Sequence, residues 1–117
     1  MKTFNDLNFR PYGYETKVAD KLYESKLSDE EFENTLAELS PAKNAVMHFP
    51  NGWGVSVVLG NGHWYSNGID TYEVGIMYMG KLRMSNPTHY DSIIPHLTKE
   101  QVTDVMLRLQ KNRQTTS

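Results

Sequence analysis

The chain has no cysteine. That excludes disulfides, thiolate metal sites and a cysteine nucleophile, and it suits a reducing compartment. No apolar run approaches the ~20 residues of a membrane helix. The opening residues Met1-Lys2-Thr3-Phe4-Asn5-Asp6 lack the apolar segment and small-residue cleavage site of a signal peptide. The net charge is −2, and the chain does not show the clustered Lys and Arg of a nucleic-acid binder. Also missing are a phosphate loop leading into a helix, a serine in a G-x-S-x-G setting, and the H-x-x-x-H or H-E-x-x-H spacing of zinc sites. These absences predict a soluble, cytoplasmic protein with no cofactor, no metal, no catalytic residues, no membrane contact and no direct contact with nucleic acid. At 117 residues the chain is expected to form a single domain, large enough to build a core without staples.

What is present is a core stretch, Ala45 to Met79. It contains no Lys or Arg, and its only charged residues are Asp70 and Glu73. Its apolar residues alternate with period two, as a strand with one buried face requires. Ala45 to Phe49 reads as one strand. Pro50-Asn51-Gly52 reads as a turn, Asn-Gly being a strong hairpin signal because both residues tolerate positive φ. Trp53 to Leu59 follows, with Trp53, Val55, Val57 and Leu59 on one face and Gly54, Ser56, Val58 and Gly60 on the other. Those glycines suggest a bulge or the close approach of another element. A loop over 60–70 leads to a third strand, Thr71 to Met79. After a tight turn at Gly80-Lys81 comes a short fourth strand, Leu82 to Met84, with the charged flanks of an edge.

Helices flank this sheet. Residues 1–14, rich in aromatics, read as an extended arm tacked onto the body. Residues 15–26 suit a short helix. Ser28-Asp29-Glu30-Glu31 has the spacing of a capping box, with Leu27 and Phe32 placed as a staple, and Ser40-Pro41 ends that helix. Ser85 to Pro95 reads as irregular. Thr98-Lys99-Glu100-Gln101 is a second capping box. Beyond it, Val102, Val105, Met106 and Leu109 recur as one helical face, so residues 98–112 form an amphipathic helix packed on the sheet. The expected class is α+β: two N-terminal helices, a three- to four-stranded antiparallel meander over 45–84, and the C-terminal helix on one sheet face. The other face is expected to stay partly open.

The runs Phe49-Pro50-Asn51-Gly52-Trp53-Gly54-Val55-Ser56-Val57-Val58, Tyr72-Glu73-Val74-Gly75-Ile76 and Asp91 onward to Leu97-Thr98-Lys99-Glu100-Gln101-Val102 carry a resemblance. They are similar to a family of small, mostly uncharacterised bacteriophage proteins. In that family an F-x-N-G-[YW]-G-x-S-V-V hairpin precedes a Y-E-[LV]-[AG]-[VI] strand and an L-T-x-[EQ]-x-V helix start. The likeness spans about residues 45–109. It implies a phage or prophage origin and brings no activity and no catalytic residue. This chain departs from the pattern after the second strand, where Gly-His-Trp-Tyr-Ser-Asn-Gly replaces the usual Ser-Tyr-Gly run.

Two features exceed what a fold of this kind needs. Asp29, Glu30, Glu31 and Glu33 put four acids where a helix cap uses one or two. His63, Trp64 and Tyr65 lie in a polar, glycine-flanked loop, where Trp64 is either displayed to a partner or folded onto the open sheet face. Trp and Tyr anchor many interfaces because they bury much area at low entropic cost. Read together, these residues predict a non-enzymatic phage accessory protein. It would bind and inhibit or redirect a host protein, for instance an anti-CRISPR-like or anti-restriction-like inhibitor of a defence complex, through His63, Trp64, Tyr65, Asp29, Glu30, Glu31 and Glu33. An exposed fourth strand also offers a way to pair two copies into a homodimer. One alternative is a small-ligand or nucleotide-binding module whose open sheet face presents Trp53, Tyr72 and Tyr78. A weaker one is a small hydrolase using His48 or His63 with Glu73 as base. His89, Asp91 and His96 could meet His63 around a metal, but no spacing among them encodes ligand geometry.

Overall fold

The computed structural model describes residues 1–14, 16–60, 69–88 and 91–112. In chain order a 3-10 turn at Phe4–Asp6 precedes β1 (Arg10–Tyr12), α1 (Thr16–Glu24), α2 (Asp29–Leu39), β2 (Ala42–His48), β3 (Trp53–Gly60), β4 (Tyr72–Tyr78), β5 (Lys81–Leu82), β6 (Ile93–Leu97) and α3 (Lys99–Lys111). The class is α+β, with three α-helices and one six-stranded antiparallel sheet among the described residues. The expected meander is β2-β3-β4. β1 lengthens it at one edge, while β5 and β6 share the other edge of β4 end to end. Ile76 is the handover point: its amide donates to Ser92 O and its carbonyl accepts from Arg83 N.

Two strands were not anticipated, and each hides behind a proline. β1 is three residues long with Pro11 at its centre. β6 carries Pro95, and it bulges where Tyr72 faces Leu97 but Val74 faces Ile94. His96 takes φ 58° inside that bulge, a left-handed conformation for which His is enriched several-fold. Proline is tolerated on such an edge because no ladder partner needs its missing N–H.

The turns also differ from the dipeptide reading. At 49–53, Phe49 N donates to Trp53 O and Gly52 N to Phe49 O. Only Gly52, at φ 94°, is left-handed there. Pro50 pre-sets the first corner of a type I turn and Gly52 follows as the bulge residue, giving a three-residue loop. The tight turn after β4 is Met79-Gly80, both at positive φ (53° and 84°), the two-residue I′ form.

Helix ends follow the caps. Thr98 Oγ1 accepts from Gln101 N at 3.2 Å while Gln101 Oε1 accepts from Thr98 N at 2.8 Å, a complete capping box. At α2 only half of the box forms: Ser28 Oγ accepts from Glu31 N, but the Glu31 carboxylate takes the Ser28 hydroxyl proton instead of its amide.

The core lies between α3 and one sheet face. Val55, Val57, Val74 and Ile76 meet Val102, Met106 and Leu109, all fully buried. Each such side chain contributes roughly 1.5–3 kcal/mol on burial. Phe4, Leu7 and Phe9 of the arm close the same face, so the arm is part of the body. The far end of α3 is held by Asn51, whose Nδ2 donates to Leu109 O at 2.7 Å and Asn112 O at 2.8 Å. The α1–α2 pair attaches through α2 against β1, and overall the molecule extends 52 × 27 × 22 Å. No helix among the described residues is long and apolar enough to cross a membrane.

Candidate functional site

Strand register decides what each face presents. Trp53 lies opposite Tyr78, Val55 opposite Ile76 and Val57 opposite Val74. Side chains alternate between faces, so Trp53, Tyr72 and Tyr78 all belong to the face that α3 and the arm cover. Trp53 and Tyr72 are buried. Trp53 meets Tyr78 edge-on at 4.7 Å, and Arg83 lies 5.5 Å over the Tyr78 ring. An aromatic pocket of these three on the open face is therefore ruled out by register.

The open face is built differently. One row across it reads Val46, Ser56, Gly75, Ile93, and the next reads His48, Gly54, Met77, Leu82. Glycine and serine stand at the centre of these rows, and Gly54 and Gly75 are buried. The exposed residues around them are apolar: Val46 is 51% exposed, Leu82 55% and Met84 54%. The glycines are there for space. A Cβ at Gly54 would sit 2.6 Å from Met47 O and 2.9 Å from His48 Nδ1, and one at Gly75 would sit 3.0 Å from Leu82 Cδ2. The close approach inferred from the glycines is thus real, and no bulge interrupts β2-β3-β4.

Beyond Leu82 the chain loops out and returns as β6. Met84, Asp91, Ser92, Ile93 and Pro95 line a cavity of about 340 Å³ there. Asn86 pins the loop, donating from Nδ2 to Arg83 O and Asp91 O and accepting at Oδ1 from Thr88 N and Oγ1.

The acidic residues fall into two groups. Asp29, Glu30 and Glu31 are exposed on the first turn of α2. Glu33 is engaged: its Oε1 pairs with Arg10 Nη2 at 2.6 Å. It ties α2 to β1 and is not presented with the other three. His63, Trp64 and Tyr65 lie outside the described residues, as does His89.

The hydrolase constellation does not assemble from His48. His48 shares a row with Gly54 and Met77, whereas Glu73 shares one with Val58 and Asn44. Two rows and two strands separate them, roughly 16 Å at ordinary strand spacing, too far for a base and its carboxylate. No group of three or more His, Asp or Glu residues that could hold a metal occurs among the described residues. Among the described residues, Tyr72 is a titratable group whose environment is plainly altered. Burial first, and then the charge of Asp70, push its phenol above the ordinary value of 10.0.

No family model, curated protein or solved structure matches this chain.

Sequence reading found the acids and the exposed edge. It missed that exposed Val46 and Leu82 share the face opposite α3, because that grouping needs the register of four strands. The available signal was the alternation that sets Val46 and His48 opposite Ala45, Met47 and Phe49.

Proposed function

We propose that this is a small accessory protein that works by binding another protein, and that its docking surface is the open sheet face. The observation that supports this is exposed apolar side chains at this side of the sheet. Val46, Leu82 and Met84 are each more than half exposed, and Val46 and Leu82 stand in adjacent rows of the open face. Apolar surface displayed contiguously marks interaction sites, and flexible Met side chains adapt to a partner's shape. Asp29, Glu30 and Glu31 add a negative flank that would steer association with a basic target.

The phage-like motifs at Phe49–Val58, Tyr72–Ile76 and Leu97–Val102 extend the proposal. The partner is a host protein, such as a component of a defence complex, which is inhibited or redirected by occupation of its surface in the host cytoplasm. Trp64 and Tyr65, with His63, remain contacts proposed on sequence. The test is capture of host proteins by the tagged chain, wild type beside Val46→Lys/Met84→Lys, Trp64→Ala and an Asp29, Glu30, Glu31 triple Gln variant. A stoichiometric partner lost with the first variant supports the sheet face. Its loss only with the second or third moves the contact to the aromatic loop or the acidic turn.

A further inference from the structure

A second cavity, of about 300 Å³, lies at the opposite side of the sheet, where the arm, β2, β3, β4 and the start of α3 converge. It is separate from the open face and does not depend on the reading given to that face. Its floor is aromatic and apolar. Phe4 and Phe9 have ring centroids 5.7 Å apart, and each meets Tyr72, at 5.0 and 5.8 Å. Leu59 completes the wall. Phe4, Phe9 and Leu59 are only partly buried, so ring faces and methyl groups remain open to the cavity.

The rim is cationic. Lys99 Nζ lies 5.6 Å over the Phe4 ring. Lys43 lies opposite Leu59 in the β2–β3 register. Neither lysine has a carboxylate partner among the described residues. Lys99 also opens α3, so the positive end of the helix dipole adds to the same rim.

We infer that this cavity binds a small aromatic phosphate, its ring on Phe4, Phe9, Leu59 and Tyr72 and its phosphate between Lys43 and Lys99. A volume near 300 Å³ is at the low end for ligand sites, which run from roughly 300 to 1,000 Å³. It suits one ring system and one phosphate and is too small for a dinucleotide. Two ammonium groups match a phosphate dianion in charge, and apolar walls with a few placed polar groups are the usual make-up of such a site. Asp70 bears on the fit, since its charge reaches Tyr72. The anion is therefore held at the lysine rim, and the ring occupies the Tyr72 side.

The experiment is titration calorimetry of the full chain with AMP and with phenyl phosphate, each beside adenosine and inorganic phosphate as half-ligands. Wild type is compared with Lys43→Gln/Lys99→Gln. Both lysines are exposed, so the variant keeps its fold, and its unchanged melting curve is the control. The expected result is saturable binding of one or both aromatic phosphates, weaker for either half-ligand. The double variant is expected to weaken it by at least roughly tenfold per lysine, as loss of one hydrogen bond to a charged group predicts. Absence of saturable binding of both aromatic phosphates at millimolar concentration overturns the inference. So does binding that the double variant leaves intact, or phosphate alone binding as tightly as the aromatic esters.

Discussion

Asn51 is where a single atom holds two parts of the fold together. Its Nδ2 donates to Leu109 O, which also accepts from Asn112 N at 3.2 Å, and to Asn112 O, both carbonyls at the α3 terminus, and its Oδ1 accepts from Trp53 N at 3.1 Å. Replacing it by Asp keeps the shape and the bond to Trp53 N. It turns the donor into an anionic oxygen facing two carbonyls at the negative end of the helix dipole. Two neutral hydrogen bonds contribute about 1–3 kcal/mol net, and the misplaced charge costs about 0.3–1 kcal/mol more. The expected loss is about 1.3–4 kcal/mol. For a chain of this length 1 kcal/mol corresponds to about 4 °C, so thermal unfolding followed by circular dichroism should move down by about 5–16 °C. The sign with pH is fixed as well. The new carboxyl is held above its unfolded value, because only its protonated form can donate. Its protonation therefore favours the folded state, so the deficit is smallest below the unfolded value of about pH 4 and grows as pH rises from there through the folded value. A melting temperature within a degree of wild type at neutral pH would refute the idea that Asn51 anchors α3.

The two open-face glycines should respond unequally to alanine. Gly54→Ala drives a methyl against the Met47 carbonyl and should cost about 2–3 kcal/mol. Gly75→Ala meets only the mobile end of Leu82 and should cost under about 1 kcal/mol in urea denaturation. Thr98→Ala removes half of the complete capping box and should cost about 1 kcal/mol, read as a fall of about 4 °C in melting temperature. Tyr72 keeps its proton more tightly folded than unfolded. Its contribution to stability is therefore present below about pH 10 and is lost as pH rises through its raised folded value. Ultraviolet titration should show one phenol ionising late, and Tyr72→Phe should remove that step and soften the alkaline loss of stability.

Much of this fold is legible in the chain because local signals agree with the global arrangement. Thr98 and Gln101 announce α3, Val102 to Leu109 its buried face, and Trp53 to Leu59 the alternation of β3. Features set by long-range partners are not legible. Asn51-Gly52 has the look of a two-residue hairpin, but Pro50 shifts the corner, and the Asn side chain serves a helix end some sixty residues away. β6 is masked by Pro95 and His96, which an edge bulge accommodates. The aromatic residues Trp53, Tyr72 and Tyr78 are visible as one stripe, but alternation alone does not say which face α3 will cover. α3 covers the aromatic one, because that face offers the larger apolar area. Glu33 shows the same limit: its acidic neighbours Asp29, Glu30 and Glu31 stay exposed on the first turn, while Arg10, more than twenty residues away, claims it.

The account turns on the open sheet face, and the most direct measurement is capture of host proteins by wild type and by Val46→Lys/Met84→Lys. Both positions are more than half exposed, so the variant should fold and melt as wild type does. The account predicts one stoichiometric partner retained by wild type and lost by the double variant. A partner held equally by both proteins, or none held by either from infected and uninfected cells, would contradict it.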